Sequence, residues 1–180
     1  MGLLPLNLWP NWIGLKMLRQ YDEHILKLLL VAAVGVLAGA YFFEFVIGLN
    51  PCKLCLYQRI PWWLVIGVTS LALVYKRRPH LVNILTILAS FTLLIGVAIA
   101  GFHVGVEQHW WDGPSTCSAT SDMPNGLADL KATIMSAPLV RCDEIAWSLF
   151  GISMAGYNAV MSFVLGVWGA VAGIRLRQTQ

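Results

Sequence analysis

Charge is what this sequence has least of: only 12% of its 180 residues are Asp, Glu, Lys or Arg, about half the roughly 25% of a soluble domain. A chain so short of charge cannot coat a globular surface. With 58% of residues hydrophobic and a mean hydropathy of +0.69, the bilayer is the expected solvent. A basic patch is also missing, because twelve Lys and Arg against nine Asp and Glu leave a net charge of only +3, and most of the cations sit beside apolar runs. Nucleic acid is therefore not an expected partner. Internal repeats and low-complexity tracts are absent, and the four histidines show no metal-ligand spacing. Cysteine is scarce as well, at four residues, and no cysteine falls inside an apolar run. Length leaves room for about four spans of roughly 20 residues and no second domain, so residues 1–180 are read as one membrane domain.

The apolar runs cover about residues 25–47, 56–75, 81–102 and 152–174. Lys16, Arg19 and Lys27 precede the first, Lys76, Arg77 and Arg78 separate the second from the third, and Arg175 and Arg177 follow the fourth. The positive-inside rule makes these ends, and both termini, cytoplasmic. The connection after the first run and the long loop 103–151 are then outside. Ala38, Gly39 and Ala40 resemble a signal-peptidase site, but the run stays apolar beyond them and a retained span is expected. Trp62, Trp63, Trp110, Trp111 and Trp147 fall near outer helix ends and suit an interfacial belt. Ahead of Lys16, the segment with Trp9, Trp12, Leu15 and Leu18 reads as an in-plane amphipathic stretch or a loose tail. Gly35 with Gly39, and Gly169 with Gly173, have the small-xxx-small spacing of close helix contacts.

All four cysteines lie on the outer side of this frame. Cys52 and Cys55 form a C-x-x-C just before the second span, while Cys117 and Cys142 sit in the long loop. Pairs confined to one side point to an oxidising compartment. Asn50 as N-cap and Pro51 at the first helical position predict a helix start that brings both sulfurs into its first turns. Backbone N–H groups, the helix dipole and Arg59, one turn beyond Cys55, then favour a thiolate. The alternatives are a structural disulfide or half a zinc site; the Pro and Arg context favours redox activity. The loop between Cys117 and Cys142 contains an amphipathic stretch with Leu127, Leu130, Ile134 and Met135 on one face, suited to the membrane surface. A disulfide closing it would constrain the unfolded chain by roughly 3.5 kcal/mol, as a staple, or would serve exchange with the C-x-x-C.

The string Pro51, Cys52, Lys53, Leu54, Cys55, Leu56, Tyr57, Gln58, Arg59, with four spans and a later loop pair, resembles the disulfide bond formation protein B (DsbB) family of bacterial inner-membrane thiol oxidases. The resemblance covers about residues 25–174. It implies an all-α, four-transmembrane-helix bundle whose long outer loop carries a short amphipathic helix. It also implies a protein-dithiol:quinone oxidoreductase with its cysteines in the periplasm. By that resemblance Cys117 is attacked by a reduced DsbA-type thioredoxin-fold oxidase, Cys142 exchanges with Cys52, and Cys55 faces ubiquinone or menaquinone. Arg59 would hydrogen-bond a quinone oxygen, and His103 and His109 are both candidates for the histidine of the quinone pocket. Gln58 departs from the family's pattern, which has Glu there, so an acidic role is absent. Glu44, near the outer end of the first span, is a further ionisable candidate.

Other readings remain at this stage. A reductase of the vitamin K epoxide type is also four-helical with a C-x-x-C, but its loop cysteines precede that motif. A zinc or copper module would use four thiolates, and a scaffold would use two staples.

Overall fold

The computed structural model describes residues 11–114, 117 and 140–178, and side chains over 23–114, 117 and 140–174. Its elements are α1 (Asn11–Phe45), α2 (Lys53–Val74), α3 (Pro79–Glu107), a hairpin of β1 (Ser148–Leu149) and β2 (Ile152–Ser153), and α4 (Met154–Gln178). Strand-length segments of a chain this apolar would leave backbone groups unpaired in lipid, whereas helices satisfy them internally. α3 packs between α2 and α4, and α1 leans on α2 with a lighter contact to α4.

Among the described residues, three stretches are long and apolar enough to cross a membrane: Glu23–Phe45, Pro79–Glu107 and Met154–Ile174. Their outward side chains, among them Val31, Phe45, Phe91 and Phe163, are exposed and apolar, a surface that water does not favour. α2 is as long as a span, but its first half carries Gln58, Arg59 and Pro61 among the apolar residues. Those polar groups face inward, where the site lies. The core runs through Ile25, Leu29, Ala33 and Leu37 of α1, Trp62 and Val65 of α2, Leu93 of α3 and Ala172 of α4. Buried Thr69, Thr86 and Ser90 bond back to carbonyls four residues earlier and leave no orphan hydroxyl.

The ends of the bundle are chemically distinct. Glu23 of α1 binds Lys27 at 2.8 Å and Lys76, just past α2, at 3.4 Å. α4 runs antiparallel to α3, with Gly173 beside Ile87 and Gly166 beside Leu93. The basic segment 76–78 and the end of α4 therefore share one end of the bundle, and Cys52 and Cys55 occupy the other.

Several expectations are corrected. The first helix is continuous from Asn11, so Trp12, Leu15 and Leu18 extend it rather than form a separate segment or tail. The third extends to Glu107, because Phe102 to Val106 continue the apolar run, and the outer loop therefore begins five residues later than 103. The fourth begins at Met154 after a hairpin not foreseen, whose turn holds Phe150 (φ 50°) and Gly151 (φ 79°), the two left-handed residues of a type I′ turn. Trp62 is 1% exposed and belongs to the core, not to an interfacial belt. The amphipathic stretch around 127–135 lies outside the described residues.

Of the two glycine pairs, only one is a close contact. A Cβ at Gly169 would stand 2.5 Å from Ser90 Oγ, and one at Gly173 2.8 Å from Ile87, whereas Gly35 and Gly39 have no neighbour within 4 Å. Gly169→Val should therefore lower stability by about 1–3 kcal/mol through overpacking, and Gly35→Ala should be tolerated. Thermal unfolding of both variants in one detergent checks the contrast.

Candidate functional site

The site is built on the first turn of α2. Cys52, not Asn50, is the N-cap: its backbone is extended (φ −71°, ψ 169°) and its sulfur accepts from the Cys55 N–H at 3.2 Å. Asn50 and Pro51 precede the helix as the approach to the cap. The reading of a sulfur at a helix N-terminus holds in a stronger form, since the Cys52 sulfur itself is the capping acceptor.

Cys52 is buried, and its Sγ lies 2.8 Å from Cys55 Sγ and 3.6 Å from His103 Nε2. Both cysteines precede the apolar stretch 56–75. The Cys55 thiol at the Cys52 sulfur, followed by the hydrogen bond from His103, holds the Cys52 thiol down to about 4 against the penalty of burial. The same contact with Cys52, reinforced by burial, pushes the Cys55 thiol up. The pair is thus divided into a thiolate and a thiol. His103 of α3, rather than Arg59, is the side chain that touches Cys52 across the helix contact.

The loop pair lies directly against this turn. Cys117 and Cys142 are joined as a disulfide, and the Cys142 N–H donates to the Cys117 carbonyl at 2.8 Å. Cys52, Leu54, Val106, Cys117 and Cys142 form one buried cluster, with Cys55 and Val140 at its edge. Cys52 Sγ, Cys142 Sγ and a ring nitrogen of His103 all lie within 4.8 Å of one another. A cation placed among these atoms would meet one sulfur already spent in a disulfide, which makes thiol–disulfide exchange the better use of the contact.

Beside the dithiol is a half-open cavity of about 380 Å³ lined by residues of all four helices and of the segments before α2 and α4. Its wall is mostly apolar, with Val36, Phe43 and Met161 among its residues, and Gly35 and Gly39 bare one side of α1 to it. Cys55, Gln58, Arg59, His103 and Asn158 are among its polar groups, with Glu107, Arg141 and Glu144. Arg59 gives an N–H to Glu44 of α1 at 2.5 Å and lies 4.8 Å over the Tyr41 ring, so its charge is balanced and its plane is held.

Of the predicted site residues, Cys52, Cys55, Arg59 and His103 line this cavity, Cys142 lies against Cys52 and His103, and Cys117 is bonded to Cys142. His109 does not join them; it is exposed, at φ 57°, beyond the end of α3. Residues not foreseen are Asn158, Trp62 and Glu107. Glu107, which falls within the expected loop 103–151, is instead the last residue of α3; it is 7% exposed, accepts from Ser153 and stands 3.9 Å from His103. Its four-residue spacing from His103 was the available signal, hidden by ending the third span at 102.

The fold and the site define a helical membrane protein organised around a dithiol and a disulfide in contact. The family model for disulfide bond formation protein DsbB matches residues 22–172, and the chain belongs to that family. A disulfide bond formation protein B of Shewanella loihica is 36% identical over 74% of this chain and 78% of its own length. One from Xylella fastidiosa is 28% identical over 78% of this chain and 83% of its own. An uncharacterised protein of Rickettsia prowazekii is 29% identical over 78% and 82%. No solved structure matches the chain.

Because the Cys52 thiol is held near 4, alkylation of Cys52 in the reduced C-x-x-C should stay at full rate from pH 8 down to about 5. It should fall only as pH drops through the lowered pKa and protonates the sulfur. Cys55 should label slowly throughout. Iodoacetamide labelling with peptide mapping measures both, and an ordinary thiol would instead lose rate below about 8.5.

Proposed function

We propose that this protein is a four-span, bacterial inner-membrane protein-dithiol:quinone oxidoreductase that regenerates the disulfide of a periplasmic, DsbA-type thioredoxin-fold oxidase. The observation that carries the reading is the contact between Cys52 and Cys142, two residues 90 positions apart, with their sulfurs within 4.8 Å beside an apolar cavity. In this reading α2 is the fourth span beside the three most apolar helices, the basic ends are cytoplasmic and the cysteines periplasmic.

The exchange balances as follows. A partner thiolate attacks Cys117, the Cys117–Cys142 bond breaks, and the partner's second thiol releases its disulfide, leaving Cys117 and Cys142 reduced. Cys142 thiolate then attacks Cys52 of an oxidised Cys52–Cys55 pair, and Cys55 departs as thiolate. Cys117 attacks Cys142, reforms the loop disulfide and expels Cys52 as thiolate. The end state is the arrangement described above, a loop disulfide beside a Cys52–Cys55 dithiol. The N-cap position makes Cys52 a good leaving group at the last step.

A quinone fits the residues beside Cys55: an apolar slot for a flat ring, and a guanidinium with donors beyond the one given to Glu44. When bound, it would accept the two electrons and the Cys55 proton released as the Cys52 thiolate and the Cys55 thiol become a disulfide, its second proton coming from water at the outer end of the bundle. Arg59 would hold one of its oxygens, with Glu44 and Tyr41 keeping the guanidinium aimed. Gln58 and Asn158 each spend an amide N–H inside the bundle, on His103 and on Gln58 respectively, whereas Arg59 offers a charged fork of donors, which makes it the donor of choice.

Purified protein mixed with a reduced thioredoxin-fold partner and ubiquinone or menaquinone should reduce quinone in proportion to partner oxidised. Cys52→Ser and Cys55→Ser should abolish this, while Cys117→Ser and Cys142→Ser should block delivery from the partner only. Arg59→Lys should raise the apparent quinone KM by about tenfold, because a point charge cannot replace the planar fork. Turnover in Cys52→Ser would end the assignment.

A further inference from the structure

The side chain of Trp62 has a single polar atom, and an indole N–H only donates. It donates to Asn158 Oδ1 at 2.7 Å, an oxygen that Ser162 Oγ also reaches at 3.4 Å. The amide of Asn158 can therefore stand only one way round, with Nδ2 directed at Gln58 Oε1, 2.6 Å away. Gln58 in turn presents its Nε2 to the ring of His103, 2.6 Å from Nδ1. An amide NH2 cannot accept, so Nδ1 must, and the neutral ring carries its proton on Nε2, 3.6 Å from Cys52 Sγ. One donor on α2 thus sets the direction of every bond through α4 and back to α3.

We propose that Trp62, Asn158 and Gln58 are positioning residues that lock His103 in the Nε2–H tautomer, so that it donates a hydrogen bond to the Cys52 sulfur. The proposal rests on the reading of Cys52 as a redox cysteine and adds what holds its partner. A proton on Nδ1 would break the Gln58 bond, so the network favours the Nε2–H donor at the Cys52 sulfur. The other groups facing this N–H and the Cys52 sulfur are Cys55 from α2, Glu107 from the end of α3, with Oε1 at 3.9 Å from Nε2, and the Cys142 sulfur and backbone carbonyl from the loop, the carbonyl being a second acceptor at the ring. Ser153 of β2 donates to Glu107, and Arg59, Arg141 and Glu144 line the cavity further out. A purely structural network would tie the three helices together equally well whichever way its amides pointed. Direction is what the relay adds.

The test is isosteric. Asn158→Asp keeps the Trp62 bond but offers Gln58 only an acceptor, so the Gln58 amide turns over, presents its oxygen to the ring and moves the proton to Nδ1. Gln58→Glu presents an acceptor directly and does the same. In the full chain in lipid nanodiscs with 15N-labelled histidine, the His103 resonances, identified by their loss in His103→Gln, should show Nε2 protonated and Nδ1 bare. In both variants Nδ1 should become protonated, and the midpoint of Cys52 alkylation against pH should rise by about one unit, a tenfold loss of thiolate below it. Bare Nε2 in the wild type, or an unchanged tautomer in both variants, overturns the proposal. These readouts need neither partner nor quinone. A tautomer flip in a protein that never reduces quinone would support the relay and refute the oxidase reading; normal wild-type turnover with no flip in either variant would do the reverse.

Discussion

The Cys52 sulfur at the N-cap of α2 is the contact on which the rest of the site depends. It accepts the backbone N–H of Cys55, meets the Cys55 thiol, faces His103 from α3 and lies within 4.8 Å of the Cys142 sulfur. Each of these partners favours a negative sulfur or can exchange with it. The helix start also sets the depth of the chemistry, at the end of the bundle away from the basic segments. A sulfur one turn further along α2 would lose the free N–H groups, and one residue earlier would lose the cap.

Much of this was legible in the sequence because the signals are local or periodic. Apolar runs locate the helices, flanking charge sorts their ends, and the C-x-x-C before an apolar run marks a reactive pair. Arg59 and Glu44 were each legible as candidates at the outer end of a helix, but their bond joins α1 to α2 and needs the packed bundle to appear. The polar relay was illegible for the same reason: Asn158 and Gln58 are 100 residues apart, and Trp62 read as an interfacial tryptophan until its indole was buried. His103 and His109 looked alike in the sequence. Five more helical residues before the chain turns put His103 and Glu107 inside and leave His109 outside, which shows how an error of little more than one turn at a helix end reassigns a site.

The guanidinium at the site does not stand alone: Arg59 is paired with Glu44, and Glu107 accepts from Ser153 beside a histidine whose hydrogen bonds are directional. In so apolar a setting an unmatched charge would be costly. The Cys52 sulfur lies near this paired cation, next to a cavity with mostly apolar walls.

The contact between the two cysteine pairs is the central claim, and disulfide mapping tests it most directly. In the double variant Cys55→Ser, Cys117→Ser, only Cys52 and Cys142 remain, and mild oxidation in lipid should join them within one chain. Non-reducing digestion and mass spectrometry should recover the linked peptides as the main product. Free thiols, or links only between different chains, would contradict the account.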